Sequence, residues 1–308
     1  MIFAQCLNNL FNFNFKKILM KTQNIFFSFL AIVLAFGITF STTSCTKKDA
    51  ATPKIAPTVT VEFDNVAGSA DLTLGTDYTN SSGEVFKISK FTYYISNVSL
   101  TKTDGSVFKV AQDDSYFLIK EDVAASQMVE LKGVPEGDYK SITFTVGVDS
   151  VRNCAPIDKR TGALDPANGM YWTWNSGYIF SMLEGSSNVS TATDKVFQFH
   201  VGGFGGYTAP VPPAVNPNNI RIVTVPFIGA GQEAQVAKVR SNTETELHLN
   251  VDALKVFGVN ANGVDNRVSI AATPTVMGSP AVRATAKILA GNYQNNVFGF
   301  SHIHTMPK

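Results

Sequence analysis

Residues 85–110 read VFKISKFTYYISNVSLTKTDGSVFKV, and this run decides the fold class. Val, Ile, Phe, Tyr and Thr dominate it, and these side chains suit a pleated, half-buried surface. Asp104-Gly105 separates two such runs, a strong hairpin signal. Similar text extends outward in both directions. VTVEF (59–63) and KSITFTVGV (140–148) alternate apolar with polar residues. VFQFHV (196–201) sets Val196, Gln198 and His200 on one face, with Phe197, Phe199 and Val201 on the other. ETELHLNV (244–251) turns Leu247, Leu249 and Val251 inward and His248 and Asn250 outward. Shorter strand-like runs lie at 116–119, 128–131, 178–183 and 220–226. Residues 149–169 and 202–217 read as loops. AVRATAKILA (281–290) reads as a helix that closes at Gly291. Together these runs imply an all-β fold: an antiparallel β-sandwich with Greek-key-like connections and one short C-terminal helix. A single domain would span residues 58–308.

Residues 1–45 read as a targeting segment. Lys16, Lys17 and Lys21 precede an almost unbroken apolar run from Ile25 to Phe40, which is short for a membrane span. Ser41-Thr42-Thr43-Ser44 then leads into Cys45, as in a bacterial lipobox, although Thr42 stands where an aliphatic residue is usual. The expectation is a lipoprotein signal peptide with lipidation at Cys45, beginning at Met1 or Met20. Residues 46–57 would be a polar tether with Pro53 and Pro57. The chain would then be held in the cell envelope by a lipid anchor, at the outer membrane on its periplasmic or surface side.

The 308 residues carry a formal net charge of +1, and only 16% are charged. No basic field suggests nucleic acid. Of the three cysteines, Cys6 and Cys45 fall within the targeting segment, which leaves Cys154 without an intramolecular partner. Phosphate-binding glycine loops, nucleophile elbows and zinc-protease helix motifs are all absent from the sequence. The acidic residues form no recognisable acid/base pair. A binding protein is therefore expected rather than an enzyme.

Two features carry possible chemistry. GMYWTWNSGY (169–178) holds both tryptophans, Trp172 and Trp174. In an extended strand they share one face, with Tyr171 and Thr173 turned away. Such a pair is commonly core packing, and it would also serve as a stacking platform in a structural or glycan-binding surface lipoprotein. The second feature is the set of four histidines: His200, His248, His302 and His304. His302 and His304 are spaced to converge from one strand face. With no cysteine to spare and no carboxylate clustered nearby, an all-imidazole set suits copper, zinc or nickel better than calcium or magnesium.

FTYYISNVSL (91–100), NGMYWTWNSGY (168–178), FHVGGFGGY (199–207), LHLNVDALKVF (247–257) and FSHIH (300–304) occur in the order seen in the MbnP-like family, which this chain resembles over about residues 58–304. That family takes its name from a copper-binding protein found beside methanobactin genes. The resemblance implies a secreted or periplasmic β-rich protein with copper as its metal. It also implies that His200, His302 and His304 are ligands, with His248 an alternate or supporting one. A tryptophan, Trp172 or Trp174, would be oxidised to kynurenine by a partner diheme peroxidase-family enzyme of the MbnH kind. The opened ring would offer an aniline nitrogen where indole offers only an N–H donor. Thr305–Lys308, beyond the histidine pair, would be free to mask it.

Overall fold

Alternating strands have one apolar face each, and burying those faces requires two sheets packed together. The computed structural model describes residues 54–173, 177–205, 217–261 and 263–308, which fall in one unit, Lys54–Lys308. The signal segment, Cys45, most of the tether, Trp174 and residues 206–216 lie outside the described residues.

The first part of the chain supplies β1 (Thr58–Ala67), β2 (Val85–Lys102), β3 (Tyr116–Lys120), β4 (Met128–Leu131) and β5 (Gly137–Val146). A single helical turn, α1 (Ser150–Asn153), precedes β6 (Tyr171–Trp172), β7 (Gly177–Ser186) and β8 (Val196–Gly202). There follow β9 (Arg221–Pro226), β10 (Thr243–Asp252), β11 (Thr275–Met277), helix α2 (Arg283–Asn292) and β12 (Phe298–Pro307). The Asp104-Gly105 hairpin forms as expected. Gly105 takes a φ of 89°, and Ser106 N–H donates to Asp104 Oδ1 at 2.8 Å.

The smaller sheet has the order β12–β10–β1, with β4 on the far edge of β1. The larger has the order β9–β5–β2–β7–β8–β11. β2 is 18 residues long, so its first half pairs with β7 and its second with β5. The sandwich is all-β, as the strand text implies, but its sheets are mixed rather than purely antiparallel. β1 runs parallel to β10, and β8 runs parallel to β11. Hairpin signals report only neighbours along the chain. Parallel partners require long crossovers, and these leave no local mark.

Aromatic side chains join the two sheets. Phe63 of β1 meets Phe144 of β5 edge-on, with ring centres 5.6 Å apart. Phe298 of β12 meets Phe144 at 5.0 Å and Tyr93 of β2 at 5.9 Å. Tyr93 is fully buried, and its hydroxyl donates to Asn65 Oδ1 at 2.8 Å, so its polar end is satisfied within the core.

The helix differs from expectation at its end. Gly291 does not stop it. α2 runs on through Asn292 into a π turn, Tyr293–Val297. Asn292 is fully buried and donates to Val256 O at 3.0 Å, and Tyr293 and Val297 enter the core beside it. Tertiary burial thus outweighs the glycine's tendency to end a helix.

The 149–169 stretch is also more ordered than a plain loop. It folds as α1 and short 3-10 turns over the outer face of the larger sheet. Tyr94 and Tyr178 donate to Ala163 O and Leu164 O at 2.9 and 2.7 Å. A second apolar cluster forms beneath it, including Tyr94, Met170, Trp172, Tyr178 and Phe180.

Because Phe144 touches the aromatic rings of both β1 and β12, Phe144→Ala is expected to cost about 3–5 kcal/mol. A urea titration should show a lower midpoint with an unchanged slope.

Candidate metal centre

β10 buries Thr245, Leu247, Leu249 and Val251 and turns Glu246, His248 and Asn250 to the outer face. Its parallel neighbour β1 sets Glu62 opposite His248 and Thr60 opposite Glu246. Its antiparallel neighbour β12 sets His302 opposite His248 and His304 opposite Glu246.

That last register depends on one residue. Phe300 pairs with Leu249 and His302 with His248, so Ser301 is extra, a β-bulge. Phe298 and Phe300 pack on the core below the bulge, and Ile303 does so above it. Were Ser301 paired as an ordinary strand residue, strict alternation would carry the inward phase of Phe300 on to His302 and His304. The bulge moves them to the outer face beside His248.

The three rings then meet. His248 and His302 stack with centres 4.1 Å apart and planes 11° from parallel. His304 stands edge-on to both, at 5.1 and 4.6 Å. One ring nitrogen from each lies within 4.8 Å of the others. His302 Nε2 and His304 Nε2 are 2.9 Å apart, and His302 Nδ1 is 2.9 Å from Ser301 Oγ. His248 Nδ1 is hydrogen-bonded to the Glu62 carboxylate. Its buried Nε2 has no hydrogen-bond partner among the described residues, the Glu246 carboxylate being 3.7 Å away.

Charge on this face is held close to a metal-ready state. Burial, with His248 and His304 alongside, keeps His302 below the ordinary imidazole value, so it is neutral at pH 7. Burial, with Glu62 and Asp71 nearby, raises the Asp64 carboxyl above its usual range. Glu62 holds the Nδ1 side of His248 and leaves Nε2 free to donate its lone pair to a metal, as a carboxylate behind a ligating histidine does. Two imidazole nitrogens 2.9 Å apart repel if both present lone pairs, and a shared proton or a cation relieves that repulsion. The donor set therefore fits a nitrogen-preferring metal such as copper or zinc.

Three of the four expected histidines gather here, but His200 does not. It lies on the outer face of the larger sheet, opposite Met182, with its Nε2 2.7 Å from Glu184 Oε1. The His200 hydrogen bond is the chief cause of a Glu184 carboxyl below its ordinary range. Trp172 lies with His200 rather than with the triad. Its ring edge packs so closely on Gly202 that a Cβ there would stand 2.6 Å from it. β6 ends at Trp172, so the side-by-side geometry expected for Trp172 and Trp174 falls beyond the described residues. Thr305–Pro307 do not mask the histidines, because they complete the pairing of β12 with β10. Cys154 is exposed at the end of α1, and among the described residues the metal-type groups contain no cysteine.

The expectation of an all-imidazole set also needs correction. Glu62, Glu246 and His248 form a second ligand-type group sharing His248. Glu246 was legible in principle, since it sits two residues before His248 on the same face. Glu62 was not, because only the parallel pairing of β1 with β10 brings it there.

A β-sandwich with a histidine–carboxylate cluster on one outer face defines the class of protein. The chain belongs to the MbnP family, whose model matches residues 56–278. Among solved structures it is similar to MbnP from Methylosinus trichosporium, at 16% identity and a TM-score of 0.45, covering 74% of this chain and 86% of that one. The search of curated proteins returned no match.

Deleting Ser301 should remove the bulge but leave His302 and His304 on the outer face, because Phe300 and His302 then alternate directly opposite Leu249 and His248. The expected outcome is retained metal binding in a folded protein, checked by metal titration and circular dichroism. His302→Ala should lose binding with little change in melting.

Proposed function

We propose that this protein binds copper through His248, His302 and His304, with Glu62 and Glu246 beside them, as a binding protein of the cell envelope. Its role is uptake, buffering or delivery of the metal rather than catalysis. The observation that supports this most is the convergence of His302 Nε2 and His304 Nε2 at 2.9 Å beside the stacked ring of His248. Membership of the MbnP family supports copper among the metals that such donors accept. Bound copper would supply Lewis-acid and one-electron chemistry. The residues' part is to hold it, with Glu62 fixing the tautomer of His248 and Ser301 receiving the Nδ1 proton of His302.

Export and anchoring rest on the Lys-rich start, the apolar run 25–40 and Cys45. Among the described residues no helix is long and apolar enough to cross a membrane. In this reading the lipid on Cys45 is the membrane attachment. Oxidation of a tryptophan by a partner diheme enzyme belongs to the same proposal, with Trp172 and Trp174 as candidate targets. Trp172 is 5% exposed and packs on the sheet opposite the triad. Its conversion would therefore alter the surroundings of His200 rather than add a donor to His248, His302 and His304.

Copper titration of the purified full chain should show one site. His302→Ala and His304→Ala should each abolish tight binding, and Glu62→Gln should weaken it about 10–100-fold. Retention of wild-type affinity in both histidine variants would remove the triad from the reading. Because burial holds His302 below the ordinary imidazole value, protonation of this ring should weaken binding only on the acid side of that value.

Mass spectrometry of natively produced protein should find acyl chains on Cys45. It should also find one oxygen gained and one carbon lost at Trp172 or Trp174, a change absent when the partner enzyme is missing. An unmodified Cys45 and intact tryptophans would remove anchoring and maturation while leaving the copper site untouched.

A further inference from the structure

We propose that Glu246 is a fourth ligand beside His248, His302 and His304, and that the site holds a divalent ion, Cu(II) rather than Cu(I). This inference rests on the copper reading above and concerns the oxidation state that the cluster accepts. Strand register brings the carboxylate there from two directions. Glu246 pairs with His304 across β10 and β12, and it precedes His248 by two residues on the same face of β10. Its carboxylate lies 3.7 Å from His248 Nε2, the buried nitrogen that has no hydrogen-bond partner among the described residues. Around a four-coordinate ion with bonds of about 2.0–2.2 Å, neighbouring ligand atoms stand roughly 2.8–3.6 Å apart. The spacings here are of that size, 2.9 Å between His302 Nε2 and His304 Nε2 and 3.7 Å between His248 Nε2 and Glu246.

Charge decides which ion fits. The Glu246 side chain is 19% exposed, and among the described residues no lysine or arginine pairs with it. Glu62, whose carboxylate holds His248 Nδ1, is 32% exposed and likewise has no lysine or arginine partner there. A mostly buried carboxylate without a counter-charge is costly. Imidazoles bind metal in their neutral form. Two carboxylates around three such rings balance a doubly charged ion, and they leave a singly charged one with an excess of negative charge. Donor softness points the same way. Nitrogen and oxygen donors suit Cu(II) and Zn(II), whereas thiolates and thioethers select Cu(I). The competing soft donor is Met306. It follows His304 by two residues on the same outer face, opposite Glu244, and is 46% exposed. It stands one row beyond Glu246, toward the end of β12.

The test is anaerobic chelator-competition titration of the full chain with Cu(II), Zn(II) and Cu(I), with Zn(II) serving as a divalent ion that has no redox chemistry. Wild-type protein should bind one equivalent of each divalent ion. Glu246→Gln should weaken Cu(II) and Zn(II) at least about tenfold and Cu(I) less than about threefold, tenfold being the lower end of the loss when even an outer partner of a ligand is removed. Its Cu(II) electron paramagnetic resonance spectrum should change, because a charged oxygen donor is lost, while its melting stays near wild type. Glu244→Gln removes the same charge one row away, and Met306→Leu removes the thioether. Both should leave all three affinities near wild type. Equal weakening of Cu(I) and Cu(II) in Glu246→Gln, wild-type Cu(II) affinity in that variant, an equal loss in Glu244→Gln, or a matching loss in Met306→Leu would each overturn the inference. His302→Ala separates it from the copper reading. If His302→Ala loses copper while Glu246→Gln keeps it, the triad stands and only the role of the carboxylate falls. If wild-type protein binds no copper, or His302→Ala binds it normally, both fall together.

Discussion

β10 lies between a parallel neighbour and an antiparallel one, and the pleat makes all three strands agree on which face is inside. Leu247, Leu249 and Val251 are fully buried, so slipping any of these registers by one residue would expose the whole apolar set. That burial fixes the polar row on the other side as firmly as the core. Glu62, His248 and His302 stand in line across three strands because Phe63, Leu249 and Phe300 stand in line beneath them. A ligand cluster built this way needs no loop to hold it. Side chains on paired strands hold their spacing better than side chains on connecting segments.

Fold class was legible because strand text is dense and its period is two. The 85–110 hairpin, the faces of 196–201 and 244–251, and the helix near 283–292 could all be read from side-chain alternation or propensity. Parallel pairing was not legible. β1 and β10 are separated by most of the domain, and nothing local in either strand names the other. The same gap hid half of the site. His302 and His304 share a face by spacing, and His248 faces outward by alternation, so their side of the sheet could be read. Their meeting depends on the pairing of β10 with β12 and on one bulged serine, and neither leaves a signal in composition. His200 has the same outward phase as His248, yet it belongs to the other sheet. Facing outward gives a direction, and only topology says which sheet.

Trp172 shows a related limit. Two indoles spaced i, i+2 suggest a continuous strand, but the hairpin pairs Trp172 with Gly177 and Tyr171 with Tyr178. The strand is two residues long, and its role is to deliver Trp172 under the 149–169 excursion. Arg160 fastens that excursion. Its guanidinium donates to Asn153 O and Ala155 O and lies 4.5 Å from the centre of the Tyr171 ring. Trp172 and Gly177 therefore line a cavity of the larger sheet, opposite the histidine triad.

The position of the triad in its sheet bears on delivery. β12 is the edge strand of the smaller sheet, where backbone groups and side chains stand open to a partner. Lys308 closes this edge, with its Nζ donating to Ala56 O at 2.8 Å and to Thr58, while Ile55 N–H donates to Asn242 Oδ1 at 2.8 Å. The segment leading from the tether thus enters beside the far end of β12. Four residues of β1 separate Thr58 from Glu62, a rise of roughly 13 Å. In a protein anchored through Cys45, a metal held by the triad would sit a short way above the point where the tether meets the sheet. The larger sheet, with His200, presents a separate outer surface. The histidine cluster and the cavity of the larger sheet thus lie on different faces of one sandwich, each fixed by strand register and separated by the aromatic core.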